Sequence, residues 1–71
     1  MGTVRDTLYY ETEADRYVKI YDGGWLVAMC YIDDEDLWCK YMDEDLLDRK
    51  VKSKALVNDK DFNKMIYRVD I

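Results

Sequence analysis

The sequence predicts an α+β domain, an antiparallel sheet of four to five strands arranged as a β-meander, with one helix packed on a face. Three observations predict it. Two strand-like runs flank Asp22-Gly23-Gly24, a later segment carries acids at its start and bases at its end, and the closing residues alternate apolar with polar. At 71 residues the chain makes a single domain, residues 1–71, and its 49% apolar share is ample for a core. A domain of this size buries only about 60% of its unfolded surface, so its stability margin is thin.

The first element, Val4-Arg5-Asp6-Thr7-Leu8-Tyr9-Tyr10, reads as a strand with Val4, Leu8 and Tyr10 on one face, interrupted by Asp6. Tyr17 to Tyr21 and Trp25 to Ile32 form the hairpin, because Asp-Gly and Gly-Gly accept the positive φ of a tight turn. The second arm is apolar on both faces and reads as a central strand, whereas Tyr17, Lys19 and Tyr21 point opposite to Val18 and Ile20.

After the polar break at Asp33-Asp34-Glu35-Asp36, residues 37–42 suit a third meander strand or the opening of a helix. Trp38, Cys39 and Tyr41 fit a pleated surface better, which favours the strand. Asp43 to Lys54 reads as the helix: Asp43, Glu44 and Asp45 match the positive end of its dipole and Arg49, Lys50, Lys52 and Lys54 the negative end. Leu47 and Val51 lie four residues apart on its apolar stripe. Asn58 to Asp61 breaks the chain, and residues 62–70 alternate as a strand while also meeting helical spacing.

The chemistry on offer is narrow. The chain has no histidine, which removes the usual general base, metal imidazole and pH switch together, so no enzyme is expected. Cys30 and Cys39 resemble no disulfide framework and read as small reduced core residues in a cytoplasmic protein. Neither a cofactor nor a metal is expected: the acid-rich stretches lack the alternation and glycine of a calcium loop, and Gly23-Gly24 lacks the lysine of a phosphate loop. No apolar run nears the ~20 residues that span a bilayer, so no membrane partner is expected.

What remains is charge placement. Asp33, Asp34, Glu35, Asp36, Asp43, Glu44, Asp45 and Asp48 fall within sixteen residues that hold one base, Lys40, a local charge of −7. Residues 1–32 carry −2 and residues 49–71 carry +4, which gives −5 for the chain. A row of carboxylates resembles a phosphate backbone in charge and scale, so the expected partner is a basic, nucleic-acid-binding protein rather than nucleic acid itself. Trp38 and Tyr41 lie between the two acid clusters and are typical interface anchors.

A short, acidic, tyrosine-rich domain with this 33–48 charge block resembles the phage-encoded inhibitors that block host defence nucleases, the anti-CRISPR and anti-restriction proteins. The resemblance is compositional and implies a DNA-mimic inhibitor acting through protein–protein interaction. The alternative expectation is a small structural or regulatory subunit, a homodimer using its tyrosine-rich strands, with no mimicry.

Overall fold

The computed structural model describes residues 2–33 and 36–71. Its elements run α1 (Val4–Tyr10), β1 (Arg16–Asp22), β2 (Trp25–Ile32), β3 (Leu37–Lys40), α2 (Glu44–Leu47), β4 (Ser53–Asp59) and β5 (Lys64–Asp70). The five strands form one sheet in the order β3-β2-β1-β5-β4. Three neighbouring pairs are antiparallel, and the central pair, β1 with β5, is parallel. The α+β class and the sheet of mostly antiparallel strands are as expected, but the simple meander is corrected: β5 returns from the far end of the chain to pair with β1.

Four local readings meet the structure with different results. The hairpin forms as expected, with Gly23 and Gly24 both at positive φ (59° and 89°). Leu37–Lys40 and Lys64–Asp70 are strands, in line with the preferred readings of 37–42 and 62–70. The first segment is a helix, not a strand. Thr3 caps α1 in a capping box with Asp6, each side chain accepting from the other's backbone N–H (3.3 and 3.2 Å). Val4, Thr7 and Leu8 then fall at i, i+3 and i+4 on its buried face.

The helix expected over Asp43 to Lys54 is cut to four residues. Arg49 N–H donates to Leu46 C=O at 3.1 Å as the helix closes, and Val51 then enters the core with its N–H on Gly2 C=O (3.1 Å). From Ser53 the chain is β4, in register with β5 from Ser53↔Asp70 to Asp59↔Lys64. The break expected at Asn58 to Asp61 falls later: Asn58 and Asp59 still pair in β4, and residues 60–63 make the β4–β5 connection, in which Asp59 accepts N–H bonds from Asp61 and Phe62 (2.8 and 3.1 Å).

The main core lies on one face of the sheet, while Ile66 and Lys19 are buried on the other. Val18, Ile20, Ala28, Cys30, Ile32 and Val69 meet Val4 and Leu8 of α1, with Val51 and Ile71 closing the layer. Cys30 and Cys39 stand directly opposite on β2 and β3, with Cα atoms 4.1 Å apart, and are joined by a disulfide. That corrects the expectation of two reduced thiols: antiparallel registry between the two strands brings them into bonding range. No helix among the described residues is long and apolar enough to cross a membrane.

Candidate interaction surface

The acid-rich stretch is built around β3, the outer strand beyond β2. A four-residue strand spans about 13 Å, so it holds the preceding and following acids apart at its two ends rather than in one row. At the first end, Asp33 N–H donates to Asp36 C=O at 2.9 Å and closes the turn. Both residues are exposed and border a shallow cleft of about 250 Å³ with Leu8, Tyr9, Ile32 and Leu37. Asp34 and Glu35 lie outside the described residues.

At the second end, Tyr41 adopts φ 63° and turns the chain away from the sheet. Asp43 caps α2, its Oδ1 accepting from Leu46 N–H at 3.0 Å, and Glu44 and Asp45 occupy the first turn. Asp48 ends the helix and pairs with Arg5 at 3.4 Å. Two of these acids therefore have structural tasks, whereas the carboxylates of Asp36, Glu44 and Asp45 make no ion pair among the described residues. Trp38 and Tyr41, 63% and 78% exposed, stand outside the core. Among the described residues no three acid or cysteine side chains converge on a common point as metal ligands would.

Sequence reasoning left the face of the sheet opposite the main core unused, although the period-two signal for it was present in Tyr17, Lys19 and Tyr21. Register assembles that face into two adjacent rows. Trp38 pairs with Tyr31 and Tyr31 with Tyr17, giving an aromatic row across three strands. Tyr17 and Tyr31 have ring centroids 4.8 Å apart, and Phe62, from the β4–β5 connection, stacks on Tyr17 at 4.5 Å. One pleat along, Lys40 pairs with Met29, Met29 with Lys19 and Lys19 with Arg68. Tyr17, Met29, Tyr31, Trp38, Lys40 and Phe62 line an open groove of about 420 Å³.

The ionisable groups on this face are tuned by contact. Lys19, though buried, keeps its charge: the hydrogen bond to Asp59 (2.6 Å) raises its pKa above the ordinary lysine value against the opposing effect of burial. The same bond holds the Asp59 carboxyl below the ordinary aspartate value. The Tyr31 hydroxyl donates to Asp15 at 2.9 Å, and that bond raises the phenol's pKa. Arg68 is held charged by the neighbouring Asp70 carboxylate (3.2 Å). Lys40 and Lys64 have no ion-pair partner among the described residues, and the Lys64 ammonium lies 4.6 Å from the centre of the Tyr17 ring.

Set against family models, curated proteins and solved structures, the chain matches none of them.

Proposed function

We propose that this chain is a non-enzymatic binding module that occupies the basic, nucleic-acid-binding groove of a partner protein and so inhibits it. Supporting this reading above all is the pairing of exposed Trp38 and Tyr41 with exposed acids at both ends of β3. Asp33, Asp36, Asp43, Glu44, Asp45 and Asp48, with Asp34 and Glu35 adjoining in sequence, supply long-range attraction and a fast, salt-sensitive encounter. Trp38 and Tyr41 supply the apolar contact that slows dissociation. The capping and pairing tasks of Asp43 and Asp48 make Asp36, Glu44 and Asp45 the acids free to meet a partner.

The test is calorimetric titration into a purified basic nuclease at low and high salt, with duplex DNA as competitor. Affinity is expected to fall steeply with salt, and DNA is expected to displace the chain. A variant carrying Asp36→Asn, Glu44→Gln and Asp45→Asn is expected to lose most of the salt-sensitive affinity; unchanged binding by that variant would sink the proposal.

A further inference from the structure

We infer that the Cys30–Cys39 bond is a thiol–disulfide exchange site, opened at Cys39 by a small dithiol, and that it acts as a redox clasp on β3. The clasp stands apart from the acid-directed reading, and only its effect on a partner rests on that reading. Apart from this bond, β3 is weakly held. None of its four residues is buried: Trp38 and Lys40 are exposed, and only Leu37 and Cys39 turn toward the core, each half-buried. Its strand neighbour among the described residues is β2, over the four pairs from Met29↔Lys40 to Ile32↔Leu37. An element with so few buried apolar contacts belongs to the low end of local stability. Cys39 thus supplies one of two core-facing side chains and also the chain's one disulfide.

The chain on either side of β3 is fixed independently of it. Ile32 is buried before it, and after it Tyr41, at φ 63°, turns the chain toward α2, whose Leu46 and Leu47 pack against the core. Opening the bond therefore frees residues 37–40 between two anchored ends and leaves α1 and the β1–β5 seam in place. The sheet edge then passes to β2, whose Met29 to Ile32 lose their strand partner.

The two cysteines differ in access. Cys30 is 2% exposed on β2, whereas Cys39 is half-buried on the outer strand, so an incoming thiolate meets the Cys39 Sγ. A mixed disulfide forms there, and the electron pair of the broken bond stays on the Cys30 Sγ, which takes up a proton. The second thiolate of the dithiol then displaces the Cys39 Sγ, which is protonated in turn. The chain gains two electrons and two protons, and the dithiol leaves as a cyclic disulfide. The acids at both ends of β3 repel a reagent that carries further negative charge, so an uncharged dithiol is the fitting reductant.

The experiment uses the full chain carrying Trp25→Phe, a substitution at an exposed hairpin position, so that Trp38 alone fluoresces. Reduction with dithiothreitol is expected to lower the Trp38 anisotropy and to bring amide exchange in residues 37–40 near the unprotected rate. Far-UV circular dichroism and the protection of β1 and β5 should persist, and reoxidation should restore both signals. Cys30→Ser with Cys39→Ser should behave as the reduced chain without reagent. With 2-mercaptoethanol and an acid quench, peptide mass should place the trapped adduct on Cys39; an adduct chiefly on Cys30 would overturn the assignment. Unchanged anisotropy and exchange on reduction would overturn the clasp, and so would loss of the whole fold, which would make the bond a staple. Titrated into the basic nuclease, the oxidised chain should bind about tenfold or more tighter than the reduced one, in line with the loss of one anchoring side chain. Equal, measurable binding by the two forms would overturn the regulatory effect. If neither form binds, the acid-directed reading fails, while the clasp is still decided by anisotropy and exchange.

Discussion

The Lys19 ammonium sits 2.6 Å from a carboxylate oxygen of Asp59, with the two side chains only 7% and 11% exposed. The pair ties β1, in the middle of the sheet, to the turn between β4 and β5, and Lys19 also lies 5.0 Å from the centre of the Phe62 ring. One contact thus fixes both the sheet edge and the aromatic brace of Tyr17.

The pH dependence of stability follows from this pair. Asp59 titrates lower folded than unfolded, so its contribution is complete above its ordinary value of 3.8 and is lost as pH falls through the lower folded value. Lys19 titrates higher folded than unfolded, so its contribution is complete below 10.5 and is lost as pH rises through the raised value. Thermal melts should therefore lose stability from this pair on both flanks. Asp59→Asn should melt lower at neutral pH than the parent chain and lose less on acidification. An Asp59→Asn chain with the parent's acid limb would show that the pair does not carry that dependence.

The disulfide closes a short loop, with nine positions separating Cys30 from Cys39. Chain entropy alone assigns such a loop about 2–3 kcal/mol. Reduction by a small thiol, or Cys30→Ser with Cys39→Ser, should lower urea-unfolding stability by about that amount. β3 should suffer first, because among the described residues it pairs with β2 alone. Amide exchange in residues 37–40 should accelerate before that in β1 and β5 does; uniform acceleration would contradict this.

Helix α1 carries an asymmetric pair of expectations. Leu8 is 2% exposed in the core, and Leu8→Ala should cost about 2–5 kcal/mol. Its neighbour Thr7 is as deeply buried, yet its hydroxyl has no hydrogen-bond partner among the described residues. Thr7→Val keeps the shape and removes that unpaired hydroxyl, so it should be neutral or stabilise by about 1 kcal/mol. Loss of stability on Thr7→Val, measured by the same unfolding curve, would mean that the hydroxyl is satisfied in solution.

The parts of this fold legible in sequence are those set by local rules. Gly23-Gly24 demanded the hairpin, alternation of Val18 and Ile20 with Tyr17, Lys19 and Tyr21 marked β1, and an apolar run marked β2. The misread parts are those where two local rules competed. In residues 4–10, tyrosine and β-branched content spoke for a strand, while the box Thr3-x-x-Asp6 and the spacing of Val4, Thr7 and Leu8 spoke for the helix that forms. In residues 43–54, the charge gradient was that of a helix, yet only its first turn was needed. Val51 is drawn into the core, and Ser53 and Lys54 pair with Asp70 and Val69 of β5, a demand from residues 17 and 15 positions away that no local pattern records. The acids at the candidate surface were legible as charge. Their separation to opposite ends of β3, and the aromatic row beside them, depend on register and so required the fold.

The parallel seam between β1 and β5 joins residues 49 apart in sequence, such as Val18 with Tyr67 and Ile20 with Val69. On either side of it lie antiparallel units built from near neighbours, β1-β2-β3 and β4-β5, each able to zip from its own turn. Closing the long chain segment between them costs entropy that neither unit repays alone. The topology therefore predicts an order of assembly: the two hairpin-based halves are expected to form first, with their docking along Val18, Ile20 and Val69 setting the folding rate.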